Sequence, residues 1–195
     1  MNDTLLWYTT RGAGAVTLLL LTASVALGVL TTRRWSPSGW PKFLVAGLHR
    51  NLALLTLVFL GLHILTAVVD PFTNLGWTAA VIPFASSYRP VWLGLGTIAA
   101  ELLLAVVVTS LLRGVFGYAA WRAIHWLTYA SWPVALIHGL GTGTDSGSAW
   151  LRALDVACLV AVLVAVGARL WLKPSDPLAG ARGRFREAVE RPLGP

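Results

Sequence analysis

The chain has 195 residues, 56% of them hydrophobic and only 12% charged, and its mean hydropathy is +0.71. A soluble domain carries about a quarter charged residues, so this composition excludes an ordinary soluble globule. The net charge of +7 does not point to nucleic acid, because the basic residues lie between apolar blocks and in a tail, where they act as topology signals.

The apolar residues fall into five blocks of about twenty, the length a helix needs to cross a hydrocarbon core of ~30 Å. The first is expected from Gly12 to Thr32. Asp3 and a single Arg11 precede it, unlike the basic start of a secretory signal, so it is expected to be a retained helix. The second runs from Lys42 to Val69, bounded by Pro41 and by Asp70-Pro71. Proline and serine break the stretch Pro71 to Arg89, in which Leu75 to Phe84 is expected as a short helix lying at the interface. The third span runs from Pro90 to Leu112, the fourth from Tyr118 to Leu140 and the fifth from Trp150 to Leu172. A glycine-rich loop, Gly141 to Ser148, joins the last two. Length suits one domain: residues 1–172 form the membrane unit and 173–195 a basic tail. Cys158, the one cysteine, sits in an apolar block and is expected to be a small buried hydrophobe.

Orientation follows from the basic residues. With the N-terminus outside, Arg33, Arg34, Lys42, Arg50, Arg113, Arg122, Arg169, Lys173, Arg182, Arg184, Arg186 and Arg191 fall at the cytoplasmic face. Only Arg11, Arg89 and Arg152 fall outside, beside Asp3, Asp70, Asp145 and Asp155. That asymmetry predicts an all-α integral membrane bundle of five transmembrane helices, N-out and C-in, in the cell membrane.

All four histidines lie in two of the five spans: His49 and His63 in the second, His125 and His138 in the fourth. Ionisable side chains within a span are costly and usually face the bundle interior. At ~1.5 Å per residue each pair is separated by roughly 20 Å along its helix. Both helices run in the same direction, so His49 and His125 share one depth and His63 and His138 the other. Two facing histidines at one depth can supply both axial ligands of a haem iron. Zinc is disfavoured, because pairs so far apart cannot share a tetrahedral centre. One point needs distortion. At ~100° per residue, the fourteen-residue step from His49 to His63 returns to within about 40° of one face, but the thirteen-residue step to His138 misses by about 140°. Pro133 lies between His125 and His138 and is expected to rewind the helix.

The pattern His49-x13-His63 with His125-x12-His138, together with "HRNLALLTLVFLGLH" and "YAAWRAIHWLTYASWPVALIHGLGTGTD", resembles the ferric reductase-like transmembrane family, which includes the membrane halves of NADPH oxidases. The resemblance covers about residues 10–172. It implies two b-type haems, an inner one on His49 and His125 and an outer one on His63 and His138. The short stretch after the last span cannot hold a flavin or nicotinamide domain, so a separate redox partner is expected: a flavoprotein or a quinol as donor, with an external acceptor.

Other residues have candidate roles. Haem propionates are anionic, which makes Arg50 and Arg122 candidates at the inner level and Arg11 and Arg89 at the outer; each also reads as a topology charge. Trp132 lies about midway in depth between the levels and can fill the gap between haems, or simply pack; Tyr129 and Trp126 are weaker candidates. Glu101, the one acid in the middle of a span, is expected to be protonated, hydrogen-bonded or paired. Gly94-x-Gly96 reads as close helix packing. The competing functions are a quinol-oxidising cytochrome b of the respiratory type and a haem-free membrane scaffold.

Overall fold

The computed structural model describes residues 3–31, 41–71, 73, 75–142, 147–171 and 183–186. Thr32, Arg33, Arg34, Asp145, Leu172, Lys173, Arg182, Arg191 and most of the tail lie outside the described residues. The described ones are helical, with no strand: α1 (Asp3–Thr31), α2 (Lys42–Val69), α3 (Gly76–Val81), α4 (Pro90–Leu111), α5 (Arg113–His125), α6 (Thr128–Thr142) and α7 (Ala149–Trp171).

The boundaries have local causes. Pro41 adopts an extended conformation and α2 begins after it; Asp70, extended before Pro71, ends α2, as the residue preceding a proline is pushed out of the helical region. Arg89 takes up a left-handed conformation (φ 42°, ψ 57°) and Pro90 opens α4 at its first position, where its missing N–H costs nothing. Helix α1 starts well before the expected Gly12, because Leu5, Leu6 and Trp7 extend the apolar surface and Leu6 is buried. Gly94 lets the ring of Phe84 lie against α4, and Gly141 does the same for Trp92 against α6, so part of the Gly94-x-Gly96 motif serves close packing.

Among the described residues four helices, α1, α2, α4 and α7, are each long and apolar enough to cross a membrane. The expected fourth span is not one continuous helix. It is divided into α5 and α6 at Trp126-Leu127, and α5 carries a kink of its own at Gly117 (φ 74°, ψ 164°), a conformation that glycine adopts without strain.

Helix α1 is the centre of the bundle, packed against α2, α6 and α7, while α4 packs on α5 and α6. The core joins Leu21, Val25 and Val29 of α1 to Leu103 and Val107 of α4, Trp132 and Leu136 of α6, and Cys158 and Ala165 of α7. Cys158 is 2% exposed, in keeping with its expected role. Helix α2 leans chiefly on α1 and is not packed closely on α5 or α6. The histidines stand across that gap.

Candidate functional site

The two helices of the gap bring their histidines together in pairs. The ring centroids of His49 and His125 are 6.3 Å apart, and those of His63 and His138 are also 6.3 Å apart. Helix α2 achieves this with a regular helix, since fourteen residues nearly restore the facing direction. The other side achieves it by tightening. Leu127 donates to Ile124 O (2.9 Å), Tyr129 to Trp126 O (3.1 Å) and Ala130 to Leu127 O (3.0 Å), each a bond three residues back. Residues in such turns advance about 120° rather than 100°, so tightening here adds rotation to the step from His125 to His138. Added rotation is what a thirteen-residue step of ordinary helix lacks. Pro133 lies just beyond, where it leaves Tyr129 O without its helical donor.

The outward-turned nitrogen of every imidazole is occupied by a neighbouring helix. His63 Nδ1 is 2.8 Å from Thr10 O, His49 Nδ1 is 2.9 Å from Ser24 O, and His138 Nδ1 is 2.8 Å from Trp92 O. A carbonyl oxygen only accepts, so each of these Nδ1 atoms carries the hydrogen and the lone pair is left on Nε2. His125 has a different partner: its Nδ1 is 3.4 Å from Ser110 Oγ. That hydroxyl donates to Val106 O (2.6 Å) and accepts from Trp121 Nε1 (3.1 Å), so it too receives the Nδ1 hydrogen. Trp121 also stacks on His125, ring centroids 5.0 Å apart. Orientation by an Nδ1–H bond to a carbonyl or hydroxyl is how metal-ligating histidines are commonly held.

What these donors fit can be tested on the donor set itself. Each level offers two Nε2 atoms, and among the described residues no group of three or more His, Cys, Asp or Glu side chains gathers around a common point. Two nitrogens are too few to enclose a bare zinc ion. They suit an iron already held equatorially by a macrocycle. With metal–nitrogen distances of about 2 Å on opposite sides, ring centroids come to lie about 6 Å apart, the separation seen at both levels. The residues present fit bis-histidine haem.

The other candidate residues separate into groups. Arg11 lines a largely apolar cavity of about 280 Å³ beside His63 and His138, with its guanidinium 4.4 Å from the Trp7 ring. Arg50 and Arg122 are exposed near the other level. Arg89 does not line the cavity: its Nη1 donates to Gly141 O at 2.7 Å and Thr142 O at 3.4 Å, satisfying the open carbonyl end of α6. Trp132 is 6% exposed and its Nε1 donates to Thr22 Oγ1 at 2.9 Å, between the two levels. Glu101 is exposed on α4, and no hydrogen bond or ion pair joins it to another described residue, so of its three expected states the hydrogen-bonded and the paired are not seen there.

Sequence reasoning missed the acceptors Thr10, Ser24, Trp92 and Ser110, the first three because a backbone carbonyl has no letter of its own. It also missed Asp155, expected at the outer surface but only 8% exposed inside α7 and lining the cavity.

A family model described as ferric reductase like transmembrane component matches residues 12–136. The match takes in His49, His63 and His125 and stops two residues short of His138. No curated protein and no solved structure matches the chain.

Proposed function

Because the chain belongs to the ferric reductase-like transmembrane family, we propose that it is a membrane electron-transfer subunit holding two b-type haems, one between His49 and His125 and one between His63 and His138. One observation carries this reading: two histidine pairs at equal separation, all four with Nδ1 engaged by another helix, which leaves Nε2 as the ligating nitrogen. Haem bound there supplies a one-electron iron couple. His49 with His125, and His63 with His138, would each hold such a group through two imidazoles, and a haem so held would supply electron relay rather than a site for substrate.

The chain's own residues supply the rest. Helix α2 and the α5–α6 pair fix the two levels roughly 20 Å apart along the helices. Trp132 fills the space between them and keeps water out of it. Arg11 offers a cation to propionates at the His63–His138 level, and Arg50 and Arg122 offer the same at the other. The basic bias of the loops puts the His49–His125 level toward the cytoplasm, so electrons move from the cytoplasmic side or from quinol toward an external acceptor. A separate redox partner supplies them, and the protein sits as a multi-pass protein in the cell membrane.

The test is transfer across a bilayer. In liposomes containing the haem-loaded protein and trapped ferricyanide, external dithionite is expected to bleach the trapped oxidant. Protein-free liposomes and liposomes with the His63→Ala variant are expected to stay coloured. Equal bleaching with and without protein contradicts the proposal.

A further inference from the structure

Three of the four histidines reach a backbone carbonyl within a regular helix, and a helical carbonyl is normally hard to reach. The oxygen of residue i points along the axis toward the N–H of residue i+4. The side chain of a helical residue lies back over the turn that precedes it, so residue i+4 ordinarily covers that oxygen. At all three places residue i+4 is glycine: Gly14 after Thr10, Gly28 after Ser24 and Gly96 after Trp92.

The imidazoles occupy the space a side chain would take. A Cβ on Gly14 would meet His63 Nδ1 and Cε1 at 3.0 Å. One on Gly28 would meet His49 Cε1 at 3.2 Å, and one on Gly96 would meet His138 Cε1 at 2.5 Å and Nδ1 at 2.6 Å. Other helical glycines differ: Gly12 and Gly61, on α1 and α2, have nothing within 4 Å of a built Cβ. Gly14 and Gly28 are fourteen residues apart, as are His49 and His63. The contacts run crosswise, Gly14 with His63 and Gly28 with His49, as antiparallel α1 and α2 require. His125 is the exception, its partner being the Ser110 hydroxyl. Four residues on, Gly114 has open space.

We propose that Gly14, Gly28 and Gly96 are positioning residues for the haem ligands: each withholds the Cβ that would cover a helical carbonyl, so that an imidazole Nδ1–H can dock on the bare backbone and present Nε2 to the gap. The haem part rests on the function proposed above; the docking of the imidazoles does not. Each glycine serves one level, Gly28 that of His49 and His125, and Gly14 and Gly96 that of His63 and His138. The contact at Gly96 is the tightest, so the effect of adding a methyl is greatest there.

The test replaces each of the three glycines by alanine, with Gly12→Ala and Gly61→Ala as controls. Alanine favours a helix over glycine, so helix propensity alone predicts that all five variants fold at least as well. Haem per chain and the low-spin electron paramagnetic resonance signal of each level are measured, the signals being assigned with His49→Ala and His63→Ala. Gly28→Ala is expected to lose or broaden only the signal missing in His49→Ala, with haem content falling by up to about half. Gly14→Ala and Gly96→Ala are expected to do so only for the signal missing in His63→Ala, and the controls to keep both. Two unchanged signals in all three variants, or equal losses in the controls, overturn the proposal. If the unaltered chain takes up no haem, the electron-transfer reading falls. The docking is then decided on the haem-free protein by nitrogen-15 magnetic resonance of the imidazoles. Protonated Nδ1 atoms whose shifts move in the matching alanine variant support it, and shifts that ignore the substitution overturn it.

Discussion

A histidine that serves a metal has to dispose of two nitrogens, and the residues that dispose of the second are where this chain departs from what its letters announce. The four histidines stood out in the sequence because ionisable residues within spans are costly and these fell into a matched set. Their acceptors did not stand out, since Thr10, Ser24 and Trp92 contribute only carbonyl oxygens. Asp155 was hidden for another reason: placed near a span end by sequence, it is drawn under the surface by the packing of α7 on α1. Ser110 gives the clearest prediction at this scale. Ser110→Ala removes the acceptor of His125 Nδ1, and loss of such an outer partner typically lowers metal-site affinity by about 10–100-fold. Haem titration of the variant is expected to show that loss at the His49–His125 level alone; equal weakening of both levels contradicts the assignment. Trp132→Phe removes the indole N–H from Thr22 Oγ1 and is expected to cost about 1 kcal/mol of stability while both haems stay bound. Thermal unfolding and a visible spectrum check the two halves of that statement.

At the scale of elements, the long helices were legible because prolines and polar breaks bound them: α2 runs over Lys42–Val69 as read from Pro41 and Asp70-Pro71. The fourth span was legible only as a length of apolar chain. Its division at Trp126-Leu127 comes from three-residue hydrogen bonds, which no residue type marks. The sequence nevertheless implied that something of the kind was needed, since thirteen residues of ordinary helix turn His138 away from α2. Pro133, which denies Tyr129 O its helical hydrogen bond, lies just beyond these turns, and its part in them is open to a direct test. In Pro133→Ala the regular ladder can re-form and relax the tight turns, swinging His138 off the gap. The variant is expected to lose the low-spin signal of the His63–His138 level and keep that of His49–His125. If both signals persist unchanged, the tight turns are fixed by packing alone, and Pro133 has no part in aiming the ligand.

For the whole molecule, the membrane setting was plain from composition, and the packing hierarchy was not. Helix α1 holds the bundle together, whereas α2 rests mainly on α1 and faces a gap, an arrangement that only the assembled fold reveals. A ligand bridging that gap joins α2 to α5 and α6, and binding to the folded state alone raises stability by mass action. The midpoint of thermal unfolding is therefore expected to rise on haem loading, by an amount that grows with haem concentration. Labelling of single cysteines introduced at Leu5 and at Lys173 in intact cells tests the orientation: the first is expected to react with an impermeant reagent and the second only after permeabilisation. Above these stands the claim that each histidine pair holds a haem. The most direct measurement is the dithionite-reduced minus oxidised visible spectrum of the purified chain, with haem counted per polypeptide by pyridine haemochrome. A sharp b-type α-band and about two haems per chain are predicted from two bis-histidine sites; a chain purified without haem from cells supplied with haem precursor would contradict the account.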